Sequence, residues 1–315
     1  MKREAGGWGS ECLHVLPNGR RYLIGVSGGR DSVVLLHWLL ARGYRKLIVC
    51  HFEHGLRGRA GKADARFVER LATKHGLEFE LGSAKVAAIA QRTKRSLETA
   101  ARAERLAFFQ RVAARRRCPM IFLGHHADDQ VETFLLNLFR GAGGRGLGAM
   151  RARSKYGALE IVRPLLAVPR SEIDRYVQAH RLKFREDATN AELDPRRNRM
   201  RHKIIPWLEK QLGRNIRTTI WRTATVLGEE EDFLESLTPP GLTKSKELEV
   251  AQLRPLAPAL QRRAIRRWLN ERGVPDLGFD VIEDVRGLLR GGAPARINLP
   301  RAAHVRRRAG KIFLE

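Results

Sequence analysis

The segment 27–32, with the sequence SGGRDS, carries residue types that bind phosphate. It follows the apolar run 21–26 and precedes apolar residues at helical spacing, so it predicts a turn between a strand and a helix. Gly28 and Gly29 let the backbone approach an anion, and the helix amino terminus adds unpaired N–H groups and a favourable dipole. The Asp31 carboxylate could hold a Mg²⁺ ion that bridges phosphate oxygens. Nucleotide binding is therefore the first hypothesis.

A simpler interpretation of this segment is a tight turn capped by Asp31 or Ser32, with Arg30 pointing into water. Other nucleotide motifs are weaker. The sequence contains no Gly-x4-Gly-Lys-Ser/Thr, which excludes a Walker-type loop. The segment 141–146, GAGGRG, spells a dinucleotide-binding pattern but follows a helical stretch, so we expect a flexible loop there.

Asp129 and Glu132 lie three residues apart at the start of a predicted helix, so their carboxylates can share one face and bind a cationic substrate. The same spacing is typical of a helix start, where acidic side chains satisfy free amides and suit the dipole. Spacing alone favours neither interpretation. His125 and His126 are similarly open, as acid–base groups or as residues that shape the turn.

Apolar runs alternate with helical patterns through the first part of the chain. Strands are predicted over 22–26, 46–52, 77–81 and 120–124, and helices over 32–40, 63–75, 97–117 and 129–139. This alternation predicts an α/β fold with a doubly wound parallel sheet. Ligands of such sheets bind beyond the carboxyl ends of the strands, where residues 27–32, 51–57 and 124–132 converge.

The chain of 315 residues has 60 Lys and Arg against 34 Asp and Glu, a formal net charge of +26. This excess predicts attraction to a polyanion, and nucleic acid is favoured over a membrane surface. No apolar run approaches a membrane span and no signal core follows Met1, so we expect a cytoplasmic protein. Cys12, Cys50 and Cys118 are too few and too widely spaced for a disulfide framework or a metal site. We expect Cys50 and Cys118 in the core.

Helical patterns and turn residues later in the chain predict three regions: a first domain over 1–210, a connecting helix and linker over 211–240, and a smaller, mainly helical domain over 241–315. The break is placed at Thr238–Gly241, which holds two prolines and a glycine. The predicted elements are a helix capped by Ser171, helices over 214–237, 258–272 and 279–289, and an arginine-rich hairpin over 295–315.

Several motifs in this order resemble the tRNA(Ile)-lysidine synthase family. They are SGGRDS, HFEHGLR at 51–57, GHHADDQVETFLLNLFRGAG at 124–143, RPLL at 163–166, DATN at 187–190 and RRNRMRHKIIPWL at 196–208. The ordered match covers about residues 20–210, and the motifs are far more specific together than singly. The resemblance implies an adenine nucleotide alpha-hydrolase-like fold with a PP-loop, the signature of ATP pyrophosphatases. It is closest to the short form of the family.

The resemblance also implies an activity. ATP would adenylate the wobble cytidine of tRNA(Ile) with a CAU anticodon, and free L-lysine would then displace AMP from carbon-2 through its ε-amine. The product, lysidine, changes codon specificity from AUG to AUA and amino-acid identity from Met to Ile. ATP and Mg²⁺ are the implied cofactors, and a homodimer is possible.

The resemblance assigns roles to individual residues. The ATP-binding set is Ser27, Gly28, Gly29, Arg30, Asp31, Ser32 and Arg105, with Asp31 on the metal. Substrate lysine is assigned to Asp129, Glu132 and Arg197, and these three with Asp31 form the catalytic set. Arg196, Arg199 and Arg201 compete for the role of Arg197, and a solvated helix face is an equal alternative for Arg105.

Basic residues near the carboxy terminus predict tRNA contacts. The candidates are Arg262, Arg263, Arg266, Arg306, Arg307 and Arg308. Trp207, Trp221 and Trp268 could stack on bases, but helical spacing favours core packing.

Three other functions compete. A tRNA thiolase of the same superfamily generally needs paired cysteines, and the sequence has no Cys-x-x-Cys. An amidotransferase needs a glutaminase nucleophile, which Met1-Lys2 does not offer. A non-catalytic RNA-binding module with a degenerate nucleotide fold is disfavoured by the intact Asp31, Asp129 and Glu132.

Overall fold

The computed structural model describes residues 8–9, 13–185, 195–239, 245–290, 296–300 and 303–315. The chain divides into two compact units, Met1–Gly228 and Glu229–Glu315. Sequence features at Cys12, 187–190, 240–241 and 295 lie outside the described residues. The three-region division at 210 and 240 stays a prediction.

A six-stranded sheet forms the centre of the first unit, in the order β3-β2-β1-β4-β6-β5. The strands are β1 (Tyr22–Gly25), β2 (Leu47–Glu53), β3 (Glu78–Ser83), β4 (Met120–Phe122), β5 (Arg153–Tyr156) and β6 (Leu159–Val162). Every neighbouring pair is parallel except β5 with β6. The predicted parallel α/β sheet is thus confirmed, with one antiparallel edge strand added.

The helices that follow in chain order are α1 (Arg30–Ala41), α2 (Arg59–Lys74), α3 (Val86–Thr93), α4 (Leu97–Arg116), α5 (Ala127–Leu138), α6 (Gly144–Leu147), α7 (Arg170–His180), α8 (Pro195–Arg199), a π-helical turn at Met200–Ile204, α9 (Ile205–Leu212) and α10 (Arg217–Ser236), whose last residues belong to the second unit. Two groups of these helices cover the two faces of the sheet. Because successive strand side chains point to opposite faces, Ile24 packs in one core with α1, α2 and α7, and Leu23 packs in the other with α3 and α4.

The second unit is smaller. It holds α11 (Val250–Leu253), α12 (Pro258–Glu271), α13 (Phe279–Gly287) and the strands β7 (Leu248–Glu249), β8 (Arg296–Asn298), β9 (His304–Arg308) and β10 (Lys311–Leu314). The strands form an antiparallel sheet in the order β7-β10-β9-β8. Trp268, Ile265, Val305 and Ile312 are buried between helices and sheet, so the predicted arginine-rich hairpin is confirmed as β9 and β10.

Several local predictions are wrong. Gly29 and not Asp31 or Ser32 precedes α1, and Pro169 and not Ser171 precedes α7. The predicted loop at 141–146 contains the start of α6. The helix predicted from Arg214 begins at Arg217 because Asn215 Oδ1 accepts a hydrogen bond from the Arg217 amide at 2.9 Å, as a helix-start side chain does.

Among the described residues, no helix combines the length and apolar character needed to cross a bilayer.

Candidate active site

The turn at 27–32 is closed by its own side chains. Ser32 Oγ accepts a hydrogen bond from the Ser27 amide at 3.2 Å and donates to the Gly29 carbonyl at 2.8 Å. Gly28 has a φ of +93°, a conformation that favours glycine. In the described part of the chain no side chain caps α1, so the amides of its first turn can bind an anion.

Gly124 brings the end of β4 against this turn. A Cβ atom at Gly124 would lie 3.0 Å from the Asp31 carbonyl oxygen and 3.2 Å from the Ser32 nitrogen. Only glycine therefore allows this approach without a shift of the backbone. His126, two residues after Gly124, is placed beside Asp31 as a result.

The Asp31 carboxylate lies between two cationic or ionisable groups. Arg170 Nη1 is 3.2 Å from Asp31 Oδ1, and His126 Nε2 is 3.6 Å from Asp31 Oδ2. Burial raises the pKa of Asp31, although His126 and Arg170 oppose the rise. Asp31 Oδ1 is buried and accepts no hydrogen bond from the described residues.

This oxygen fits a divalent cation. Mg²⁺ prefers carboxylate oxygens, and it is commonly held by one or two carboxylates together with substrate phosphates. Among the described residues, no group of three or more His, Cys, Asp or Glu could hold a metal alone. The donor set thus suits an ion that arrives with phosphate, with Asp31 as its protein ligand.

Glu132 forms the centre of a four-residue charged cluster. It is fully buried, and its oxygens accept hydrogen bonds from Arg197 Nε at 2.7 Å and Arg201 Nε at 2.5 Å. Arg201 Nη2 also lies 3.1 Å from Asp129 Oδ1. The structure thus brings together the three residues assigned to substrate lysine and adds Arg201, while Arg196 and Arg199 are exposed.

Asp129 has a second role at the start of α5. Its Oδ2 accepts a hydrogen bond from the His126 amide at 3.0 Å, and His126 Nδ1 accepts one from the Asp128 amide at 3.3 Å, which forms a capping box. The helix-start interpretation is therefore correct for Asp129. It does not account for Glu132, which contacts guanidinium groups. Burial alone would raise the pKa of Asp129, but His126, Arg197 and their neighbours lower it, so the carboxylate stays ionised.

His125 is buried beside the cluster. Burial lowers its pKa to about 3, and Arg163, Arg105 and Arg197 also lower it against the opposing effect of Asp129. The imidazole is therefore neutral near pH 7. Arg105 is half-buried on α4, and its positive charge is one of those that lower the pKa of His125.

Arg30 does not point into water. It forms an ion pair with Asp174 on α7, and its guanidinium lies 5.0 Å from the centre of the Phe184 ring. Asp174 also accepts from Arg170 Nε at 3.2 Å. Arg170 could not be predicted from the sequence, because it lies on a helix of mixed charge outside every motif.

The other predicted residues belong to the second unit. Arg262 pairs with Glu283 at 2.6 Å, Arg263 pairs with Glu231, and Arg307 donates to two backbone carbonyls. Arg306 and Arg308 are exposed on β9, and Arg266 is half-buried on α12.

The predicted core positions are mostly correct. Cys50, Cys118 and Trp268 are buried, and Trp221 is half-buried with its indole N–H 3.3 Å from the Leu166 carbonyl. Trp207 is the exception, since it is 59% exposed. Trp207 follows a π-helical turn at Met200–Ile204, which shifts the regular α-helical spacing on which the prediction of core packing was based.

The parallel sheet and the SGG turn at its edge define a PP-loop protein. Residues 10–208 match the family model of the PP-loop domain, and residues 248–313 match the TilS substrate binding domain. The U34-tRNA thiolase NcsA from Methanococcus maripaludis has a similar fold, with a TM-score of 0.57 and 22% identity over 70% of this chain and 77% of that chain.

Comparison with curated relatives identifies the particular family. A tRNA(Ile)-lysidine synthase from Geobacter sulfurreducens is 36% identical over 93% of this chain and 64% of the relative, and one from Gloeobacter violaceus is 37% identical over 93% and 89%. The chain belongs to the tRNA(Ile)-lysidine synthase family. It spans 64%, 57% and 55% of the length of three of these relatives, from Geobacter sulfurreducens, Solibacter usitatus and Bacillus subtilis.

Proposed function

We propose that the protein ligates free L-lysine to carbon-2 of the wobble cytidine of tRNA(Ile) with a CAU anticodon, using ATP. One observation carries this: a phosphate-type turn and a buried cluster of two carboxylates and two guanidiniums share one sheet edge, joined by His126 between Asp31 and Asp129. A tRNA substrate places the reaction in the cytoplasm.

The 27–32 turn would bind the ATP phosphates. The amides at the start of α1 and the Ser27 hydroxyl offer donors, and Arg105 would contact the nucleotide. A Mg²⁺ ion held by Asp31 would neutralise charge on the phosphates. Donors fixed before the reaction stabilise the charge that develops on departing pyrophosphate.

The charged cluster would bind lysine. Asp129 and Glu132 supply two negative charges, and Arg197 and Arg201 supply two positive ones. Lysine carries ammonium groups and a carboxylate, so a site with both signs can pair with both ends of the substrate. A lysine ammonium would replace one guanidinium at the carboxylates. The freed guanidinium would then donate hydrogen bonds to the α-carboxylate of the lysine substrate.

The chemistry balances in two steps. The cytidine oxygen on carbon-2 attacks the α-phosphorus of ATP, the bond to the β-phosphate bridge breaks, and pyrophosphate leaves. The lysine ε-amine then attacks carbon-2, the carbon–oxygen bond breaks, and AMP leaves with that oxygen while the nitrogen loses its protons. The neutral His125 lies at the edge where these protons are released, and His126 follows it there.

We propose that residues 1–210 carry this chemistry, that 211–240 connect, and that 241–315 hold tRNA. The match of 248–313 to a substrate binding domain supports this division. Of the candidate arginines, Arg306 and Arg308 are the best placed because they are exposed on one face of β9.

The test is AMP release from ATP in the presence of lysine and the CAU-anticodon tRNA. We expect Asp31→Asn to abolish AMP release while the fold is kept, because a neutral amide cannot replace the metal ligand. Asp280→Asn, an exposed aspartate of α13, is the matched control and should behave as wild type. Near-normal AMP release by Asp31→Asn at saturating Mg²⁺ would contradict the proposal.

A further inference from the structure

One face of the helical run Pro195–Leu212 is exposed and cationic. The run is formed by α8, the π-helical turn and α9. Its exposed residues, which we call the cationic stripe, recur every three or four positions and are Arg196, Arg199, Lys203, Trp207 and Lys210. This spacing puts them along one side of a helix, over about 20 Å.

The opposite face of the same run is committed to the fold and the site. Arg197 and Arg201 bind Glu132, and Met200 and Ile205 are buried at 2% and 0% exposure. The stripe is therefore attached rigidly to the residues that close the charged cluster. Whatever binds along it passes directly beside that cluster.

Among the described residues, no carboxylate pairs with the four cations of the stripe. Like charges three or four residues apart on a helix repel one another and cost stability. By contrast, Arg217 nearby is paired with both Asp128 and Glu209.

Trp207 adds a second kind of contact. Its ring is 59% exposed between Lys203 and Lys210, one helical turn to either side. Cations that track a phosphate backbone, combined with an aromatic ring on which bases stack, are the combination that binds single-stranded nucleic acid. An acidic protein segment would use the charges but gain nothing specific from a flat ring.

We propose that the cationic stripe binds unpaired RNA nucleotides of the substrate, with Trp207 stacked on a base and the four cations on phosphates. This inference rests on the proposed function and names a surface for it. These nucleotides would be the neighbours of the wobble cytidine that meets lysine at the charged cluster. The stripe and the residues that close the cluster lie on two faces of one helical run, so they are close together.

The test is binding of a CAU anticodon stem-loop RNA to the full chain, without ATP or lysine. Trp207→Ala should raise Kd by roughly 5- to 150-fold, the loss of one stacked base. Trp207→Phe should recover most of the affinity because the phenyl ring still stacks. Lys203→Gln with Lys210→Gln should flatten the slope of log affinity against log salt by about 1.4.

A matched control removes the same charge elsewhere. Lys62→Gln with Lys155→Gln, two exposed lysines on α2 and β5, should leave Kd within about twofold. A fully paired RNA duplex should show no loss on Trp207→Ala, because its bases are already stacked on one another. Loss on the duplex equal to that on the stem-loop would overturn the stacking role.

The outcomes separate this inference from the proposed function. If wild type forms lysidine and the stripe variants bind the stem-loop as wild type does, the stripe is wrong and the function stands. If wild type forms no lysidine but Trp207→Ala still lowers RNA affinity, the function fails and the stripe stands. If neither the wild type nor the variants bind the stem-loop, and the wild type binds an acidic peptide instead, the proposal that the stripe binds RNA is wrong.

Discussion

The carboxylates of Glu132 and Asp129 have different partners. Glu132 is fully buried and contacts two guanidiniums, whereas Asp129 also accepts the amide of His126 at the start of α5. Removal of one partner from a buried ion pair is costly because the other charges are left uncompensated.

We expect Glu132→Gln to raise KM for lysine at least tenfold with little change in KM for ATP. It should also lower the free energy of unfolding by about 3 kcal/mol, since two guanidiniums lose their shared partner. Asp129→Asn should cost less, because the amide oxygen can still accept the His126 N–H and because Arg197 and Arg201 keep Glu132 as a partner. Steady-state kinetics and urea unfolding measure both. Equal weakening of lysine and ATP use would instead favour a purely structural cluster.

His125 gives a pH dependence whose sign follows from its burial. Its pKa in the folded protein is about 3, against about 6.5 in an unfolded chain. Between these values the unfolded chain holds one more proton, so stability falls as pH falls from about 6.5 to 3. His125→Gln should make the free energy of unfolding less steep in this window, by up to about 1.4 kcal/mol per pH unit. Urea unfolding at several pH values measures this, and identical slopes would contradict it.

At the scale of elements, the sheet was predictable and its edge was not. Strands β1 and β2 are continuous apolar runs, which is what burial on both faces requires. Strand β5 is Arg-Ser-Lys-Tyr, an exposed antiparallel edge with no apolar signal. The π-helical turn is equally silent in sequence. The spacing of four residues between Arg197 and Arg201, in contrast, is enough to put both on the face that meets Glu132 and to leave Arg199 off it.

The close contact between Gly124 and the 27–32 turn can be tested by substitution. We expect Gly124→Ala to lower stability by about 1–3 kcal/mol and to raise KM for ATP, because the new methyl group displaces the backbone at Asp31 and Ser32. Gly143→Ala is the matched control, since a Cβ atom there meets nothing within 4 Å. Thermal unfolding and ATP kinetics are the readouts. Equal behaviour of the two variants would show that the turn tolerates displacement.

At the scale of the whole molecule, the charge of +26 is not uniformly available. Arg262 is paired with the half-buried Glu283 and Arg263 with the buried Glu231. By contrast, Arg306 lies 3.8 Å from the exposed Glu315 and opposite Arg296 across the β8–β9 ladder, and Arg308 lies opposite Lys311 across the β9–β10 ladder. Like charges opposite one another in a sheet are unfavourable until an anion lies over them. Composition predicted a polyanion partner, but the usable arginines could be distinguished only from the pairing.

We therefore expect Arg306→Gln with Arg308→Gln to weaken tRNA binding and to flatten the slope of log affinity against log salt by roughly 1 to 2. The pair Arg262→Gln with Arg263→Gln should change this slope less, and should lower stability because Glu231 is left buried at 7% exposure. Titration of tRNA at several salt concentrations compares them. A larger effect of the second pair would reverse this ranking.

The most direct measurement of the central claim is the mass of the CAU-anticodon tRNA, digested to nucleosides, after incubation with the protein, ATP, Mg²⁺ and lysine. The account predicts one modified cytidine, heavier by the mass of lysine less one water, which requires both ATP and lysine and is absent with Asp31→Asn. Unchanged cytidine after incubation with folded wild-type protein would contradict the account. A mass increase that corresponds to sulfur in place of oxygen would contradict it as well.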